Sequence, residues 1–223
     1  MDALGLSFKT NLQRARKFNY PFAMIVGETL LPWEYFRQCL RALPEDSQFR
    51  PMYHPDALRL DGTSTRAVFE LSRNTAWSDL LSIFDDRTVC QVLLKALSGD
   101  LLKRFNCSEE SLLEKRLYPR VAFVRDETGF KIRPHPDCPS KVITMQWYLA
   151  RDRTQQGLGT TMYDGPSSAW ATLNYLPNHF YAFAVSDRSW HGREMLPPLK
   201  SPRLTLSVTY YLEPSAGEFI YAQ

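Results

Sequence analysis

Two hydrophobic periods divide this chain. Up to about residue 110 the apolar residues recur at three- and four-residue steps, and from residue 118 onward they alternate. Steps of three and four put side chains on one stripe of a helix, whereas alternation puts them on one face of a strand. In the first part, Pro32 suits the first turn of a helix, and Trp33, Phe36, Leu40 and Leu43 follow at helical spacing. Two blocks within residues 75–105, TAWSDLLSIF and DRTVCQVLLKALSGDLLKRF, repeat the signal, with Val89, Val92, Leu93, Ala96 and Leu97 as an apolar stripe. Short strands are expected at 20–26 and 66–71.

In the second part, Arg203, Thr205, Ser207 and Thr209 alternate with Leu204, Leu206, Val208, Tyr210 and Leu212. Residues 141–149 alternate too, with Val142, Thr144, Gln146 and Tyr148 against Lys141, Ile143, Met145, Trp147 and Leu149. Further strands fit 119–125, 130–135, 159–163, 169–175 and 179–185. Short strands at this spacing, separated by turn residues, predict a sandwich or jelly roll. The polar face of 203–212 fits either a ligand-lined interior or plain solvent exposure. Residues 44–65 are long for a loop in a compact domain and are a candidate lid.

Composition narrows the classes. The 223 residues allow one large domain or two small ones, and 44% hydrophobic content with five tryptophans is ample for a core. A net charge of +3 does not argue for nucleic acid. The four cysteines (Cys39, Cys90, Cys107 and Cys138) form no CxxC pair, which suits a reduced compartment. MDALGLSFKTNLQRARKF has no apolar signal region, and no stretch reaches the length of a membrane span. A cytoplasmic chain without a membrane partner is the expectation.

The candidate chemistry lies in the second part. His135 and Asp137 are two residues apart, so a strand would point both to one face. His191 follows 56 residues later and Arg203 twelve beyond that. Two histidines and a carboxylate are the ligand set of the facial triad that holds non-haem Fe(II) with open positions. A guanidinium at the head of a strand can grip a carboxylate through two parallel hydrogen bonds. A lone His-x-Asp carries little weight, since about 0.2 are expected by chance from four histidines and thirteen aspartates. A second copy, His54-Pro55-Asp56, precedes the alternating region and reads as a surface turn. Cys138 reads as packing and His179 as a core or edge histidine. Trp147 and Trp190 suit either a pocket wall or packing. Residues 115–153 hold nine Lys/Arg against four Asp/Glu, which suits a solvated basic face or an anionic substrate.

Over residues 118–213 the chain resembles the Fe(II)/2-oxoglutarate-dependent dioxygenases of the prolyl-hydroxylase-like type. The resemblance runs through RVAFVRDETGFKIRPHPD, KVITMQWYLARD, GLGTTMYD, SWHGRE and SPRLTLSVTYYL. It implies an α+β fold: a double-stranded β-helix (jelly roll, cupin-like) core over 116–213, with residues 1–115 as mainly helical support in one domain spanning 1–223. It implies that His135, Asp137 and His191 ligate Fe(II) and that Arg203 pairs with the distal carboxylate of 2-oxoglutarate. Tyr148 and Thr205 stand where relatives place helper hydroxyls. Gly157-Leu-Gly159 replaces the commoner adjacent glycine pair, a departure in loop geometry. The implied reaction consumes 2-oxoglutarate and O2 and forms succinate and CO2 while an unidentified small molecule is hydroxylated. Asp137 occupies the position where related halogenases carry a small residue, which implies a hydroxylase or desaturase. Two rivals stay open: a protein prolyl or lysyl hydroxylase with the same motifs, and a non-catalytic cupin-like metal-binding module, which would have no need of Arg203.

Overall fold

The computed structural model describes residues 2–54, 58–59, 63–72, 77–214 and 216. Six helices and twelve strands are present among them. The helices are α1 (Ala3–Arg14), α2 (Trp33–Arg41), α3 (Ser78–Phe84), α4 (Arg87–Ala96), α5 (Ser98–Phe105) and α6 (Glu109–Glu114). The strands of the first part are β1 (Arg16–Phe18), β2 (Met24–Gly27), β3 (Arg50–Pro51) and β4 (Arg66–Glu70). Those of the second are β5 (Tyr118–Asp126), β6 (Ile132–His135), β7 (Lys141–Tyr148), β8 (Thr161–Tyr163), β9 (Ala169–Thr172), β10 (Phe180–Ala184), β11 (His191–Arg193) and β12 (Arg203–Tyr211). No described helix is long and apolar enough to cross a membrane.

Helix starts follow local chemistry. Asp2 accepts from the Gly5 amide, Asp86 from Thr88 and Val89, and Ser108 from Ser111. Each thereby satisfies amides that have no partner within the helix. The block expected as one helical stretch over 86–105 divides at Leu97, which closes α4 and opens α5. Helix α2 begins after Pro32 but ends at Arg41, before Leu43. Its buried residues are Phe36 and Cys39, while Trp33 is 47% exposed.

The strands form two sheets, and every pairing is antiparallel. The larger has the order β1-β2-β10-β7-β12-β5-β4-β3, and the smaller β6-β11-β8-β9. With helices against one sheet this is an α+β architecture. The two faces of the large sheet differ. Ile143, Met145 and Trp147 of β7 and Leu206, Val208 and Tyr210 of β12 pack in one core with Phe8, Leu93 and Leu101 of the helices. Tyr148, Tyr181 and Phe183 face the other way and pack with Met162 of the small sheet. The alternation read in the sequence therefore separates a helix-facing side from a sheet-facing side. Arg203, Thr205 and Thr209 are buried, so the polar face of β12 is an interior surface and not a solvated one.

Three strands were not anticipated: β1, β3 and β11. Each has two or three residues, too few to show a period. Their neighbours hold them by pairing, β1 to β2, β3 to β4, and β11 to β6 and β8. In the 44–65 stretch, a 3-10 turn at Asp46–Gln48 leads into β3 on the sheet edge, and Leu58 bridges Ser64. The rest of the candidate lid, residues 55–57 and 60–62, lies outside the described residues.

Candidate metal centre and carboxylate pocket

Pairing between β6 and β11 builds the first end of the site. His135 and His191 stand directly opposite each other in the ladder, and their ring centroids are 4.6 Å apart. Gly192 permits this approach, because a Cβ there would lie 2.8 Å from the Ile132 carbonyl oxygen on β6. Asp137 follows in the loop after β6, with an Oδ2 3.9 Å from His191 Nε2. One ligand atom from each of His135, Asp137 and His191 falls within 4.8 Å of the others, as expected of a shared cation site. In the second His-x-Asp copy, Asp56 lies outside the described residues; His54 is half-buried.

Backbone carbonyls set the orientation of both imidazoles. His135 Nδ1 faces the Arg133 oxygen at 2.8 Å and His191 Nδ1 the Ser189 oxygen at 3.0 Å. A carbonyl only accepts, so each Nδ1 carries the hydrogen and each Nε2 keeps its lone pair. This is how metal-ligating histidines are commonly oriented. Burial pushes the His191 imidazole down from 6.5 to about 4, against the opposing pull of Asp137, so it is neutral at physiological pH. Burial alone would raise the Asp137 carboxyl. The Lys141 ammonium, His191 and hydrogen bonds from Lys141 and Thr144 outweigh it and hold the group below the usual carboxylate range. The Thr144 hydroxyl donates to Asp137 Oδ2 at 2.6 Å.

The second end is built around Arg203, which is 2% exposed. Its Nε donates to the Leu158 carbonyl at 2.6 Å and one terminal nitrogen to Asp126 Oδ2 at 2.7 Å. The other terminal nitrogen has only a long 3.4 Å contact with Thr160 Oγ1. Arg66 also holds Asp126, at 2.6 and 3.0 Å. Burial disfavours the Arg203 charge, yet Asp126 together with Tyr148, Tyr175 and Tyr181 more than offsets it and raises the pKa. The Tyr148 and Tyr181 hydroxyls both donate to Thr160 Oγ1, and the Tyr148 hydroxyl accepts from the Thr160 amide at 2.9 Å. The expected helper residues Tyr148 and Thr205 are therefore neighbours of Arg203, paired across β7 and β12.

The unusual glycine turn is part of this pocket. The Gly157 and Gly159 carbonyls accept from Arg193, and the Leu158 carbonyl between them accepts from Arg203. Gly159 is required by packing, since a Cβ would sit 1.7 Å from the Leu173 carbonyl oxygen.

Other candidates fall elsewhere. Trp147 lies on the helix side of the sheet, edge-on to Phe36, with its indole N–H donating to Asn178, so it is core and not a pocket wall. His179 is half-buried against the Pro177 carbonyl. Trp190 is half-buried, and its carbonyl accepts from the Tyr163 amide. Cys138 is exposed and contacts Ser140, outside the three-residue cluster. Lys141, Thr144, Asp126, Arg66 and Thr160 escaped the sequence reading. Of these, Thr144 and Lys141 stood in the alternating stretch 141–149, in opposite sets.

A cavity of about 740 Å³ borders Asp137, lined by Lys103 and Arg104 of α5, Pro139, Val185 and Arg188 among others. Arg104 ties its walls together by donating to the Lys141, Val185 and Pro139 carbonyls.

Unpaired polar atoms test whether a metal and a dicarboxylate fit. Buried polar atoms almost always find partners. Among the described residues, the exceptions are Arg125 Nε, Gln146 Oε1, Arg193 Nε and Thr205 Oγ1. Gln146 and Thr205 share the interior face with Thr144, Tyr148 and Arg203. Thr205 Oγ1 lies on the strand Arg203 heads, two residues along, and Arg203 has a poorly used terminal nitrogen. The donor set also suits a divalent cation bound through two Nε2 atoms and one carboxylate oxygen. The residues present fit both groups.

No family model and no curated protein matches the sequence. Solved structures match along nearly the whole chain. A Pseudomonas putida prolyl-4-hydroxylase superposes with a TM-score of 0.59 at 12% identity, covering 94% of this chain and 99% of that one. A Trichoplax adhaerens prolyl hydroxylase, in complex with a hypoxia inducible factor oxygen degradation domain peptide fragment, gives 0.55 at 11%, covering 96% and 93%. A 2OG-Fe(II) oxygenase-family oxidoreductase from Burkholderia pseudomallei gives 0.54 at 10%, covering 100% and 96%. The chain therefore has a 2OG-Fe(II) oxygenase-like fold.

Proposed function

We propose that this protein is a non-haem Fe(II)- and 2-oxoglutarate-dependent dioxygenase that hydroxylates a small molecule. On this reading β5 to β12 form a double-stranded β-helix over 116–213, supported by residues 1–115 in one domain. The observation that carries the proposal is the convergence of His135, Asp137 and His191 within 4.8 Å, with both Nδ1 atoms already engaged by carbonyls. That arrangement leaves one face of a cation to other ligands. Bound there, iron would couple oxidative decarboxylation of 2-oxoglutarate by O2, giving succinate and CO2, to oxidation of a substrate C–H bond.

The chain's residues supply the rest. His135, Asp137 and His191 hold the metal. Arg203, fixed by Asp126 and the Leu158 carbonyl, takes the distal carboxylate of the co-substrate, with Thr205 and Tyr148 beside it. Phe183 packs on His191 at 4.7 Å between ring centroids and shields that imidazole from water. A small-molecule substrate draws support from the cavity beside Asp137, whose 740 Å³ is within the usual range for ligand sites. Lys103 and Arg188 on its wall suit an anionic group. The rival reading, hydroxylation of a peptide, draws on two structural neighbours being prolyl hydroxylases.

The deciding experiment is anaerobic reconstitution with Fe(II), followed by measurement of succinate from 2-oxoglutarate on admitting air. Slow, Fe(II)-dependent succinate release without added substrate is expected. Metal binding with no 2-oxoglutarate turnover would leave the cupin-like binding module as the better reading. Screening small acids and prolyl peptides for stimulation and a +16 Da product separates the two substrate classes.

A further inference from the structure

Lys141 sets the charge of the metal end. A pair of neutral imidazoles and one carboxylate brings a single negative charge to a divalent cation. Here the Lys141 ammonium lies 2.5 Å from Asp137 Oδ1, while Thr144 donates to Oδ2. The Asp137 side chain is 6% exposed and that of Lys141 26%, so solvent screens the pair only partly. Among the described residues no further acid or cysteine joins the three-residue cluster to restore negative charge. Across β12, Lys141 is paired with Tyr211, whose hydroxyl is pushed further from ionisation by burial.

Two consequences follow. Oδ1 is engaged by an ammonium, whereas Oδ2 accepts only from a neutral hydroxyl and lies 3.9 Å from His191 Nε2, so Oδ2 is the oxygen left to a metal and Asp137 acts through one atom. The protein's charge at the centre is also close to zero, because the lysine cancels the carboxylate. An ammonium a few ångströms from a divalent cation opposes its binding, and a partly buried site screens that repulsion less than water does.

We propose that Lys141 makes metal binding depend on an anionic co-ligand: the centre holds a divalent cation weakly by itself and tightly once a dianionic 2-oxo acid is bound. The inference rests on the metal-centre reading given above. The dianion supplies the negative charge that Lys141 removes, and linkage makes the effect mutual, so metal and 2-oxo acid raise each other's affinity by one common factor. Lys141 is a positioning residue, acting through Asp137 and through its charge.

Calorimetric titration of Co(II), with and without saturating 2-oxoglutarate, tests this on the full chain and on Lys141→Met and Lys141→Arg. In the wild type, 2-oxoglutarate should tighten Co(II) at least about tenfold. Lys141→Met should bind Co(II) alone at least about tenfold more tightly than the wild type and lose most of the coupling. Lys141→Arg should keep the wild-type pattern. If Lys141 only held Asp137 in place, Lys141→Met would bind Co(II) more weakly, and that result overturns the proposal, as does equal coupling in both proteins. Should Lys141→Met fail to fold, Lys141→Gln keeps a donor to Asp137 without the charge, and wild-type behaviour in it overturns the proposal equally. A wild type that takes no Co(II) under either condition removes the metal-centre reading itself.

Discussion

The two faces of β7 and β12 carry the same backbone and opposite duties. On the helix side, Met145, Trp147, Leu206 and Val208 are wholly buried apolar residues packed against helices. On the sheet side, Thr144, Tyr148, Arg203 and Thr205 are as well buried, yet polar, and one hydroxyl among them has no partner. Burying polar groups costs free energy unless they are paired. The helix side therefore stabilises the fold, while on the sheet side the cost of burying the polar groups of these four residues is offset by pairing except at Thr205 Oγ1. On the proposed reading, function and stability are separated by alternation along one strand.

Substitution of the proposed metal ligands should break the proposed functional side most completely. His135→Ala, Asp137→Ala and His191→Ala are each expected to lose metal and succinate formation while staying folded, checked by metal analysis and circular dichroism. Paired substitution His54→Ala and Asp56→Ala should leave metal content unchanged. Metal lost from the latter and kept by the former would reverse the assignment.

If Arg203 takes the co-substrate carboxylate as proposed, Arg203→Ala leaves that buried group unpaired, a loss of typically about 2–5 kcal/mol. Its 2-oxoglutarate dissociation constant should rise well over tenfold with metal affinity little changed. Arg203→Lys should rescue only in part, because a point charge cannot reproduce the fork held between Leu158 and Asp126. Unchanged affinity in Arg203→Ala would remove this residue from the pocket.

Leu206→Ala tests the opposite face. It should cost about 2–5 kcal/mol in urea unfolding and leave 2-oxoglutarate affinity as it was. A similar loss of affinity would mean the two faces are coupled.

The metal-free protein should lose stability in acid through His191. Its imidazole titrates near 4 when folded and 6.5 when unfolded. Between those values the unfolded chain takes up a proton that the folded chain refuses. Stability is thus full above pH 6.5 and falls as pH drops towards 4, by at most roughly 3 kcal/mol. Asp137, held low in the fold, continues the loss below the ordinary carboxylate range. Urea midpoints at pH 7 and 4.5 check this, and His191→Gln should flatten the difference.

Thr205→Val should have the smallest effect and the most telling sign. It removes an unpaired buried hydroxyl at nearly constant volume, so stability should hold or rise by up to about 1 kcal/mol. Binding of 2-oxoglutarate should weaken a few-fold. A variant that is both less stable and unaltered in binding would mean that the hydroxyl has a structural partner.

Legibility differed across the molecule in the same way. The strands at 118–126, 141–148 and 203–211 were readable because long alternation is a local signal, and helices α2 to α5 because apolar residues recur on one stripe. The break at Leu97 was not, because both halves keep helical spacing and only their packing shows the change of direction. Strand β11 was invisible as a strand although His191 stood out, since three residues carry no period.

The chain by itself determined the two-period division, the order of His135, Asp137, His191 and Arg203, and the alternating polar row of β12, whereas the structure decided that this row faces inward. The first three depend on residue type and spacing, which are written in the sequence. Tertiary structure alone decided that Asp126 and Arg66 brace Arg203, that Thr160 gathers two tyrosine hydroxyls, and that Lys141 sits on the carboxylate of Asp137. It also decided which face of the sheet Trp147 joins. Such contacts join residues as far apart as 77 positions, as between Asp126 and Arg203. They arise from strand order and register, set by the balance of burial over the whole fold, and no local window of sequence contains that balance.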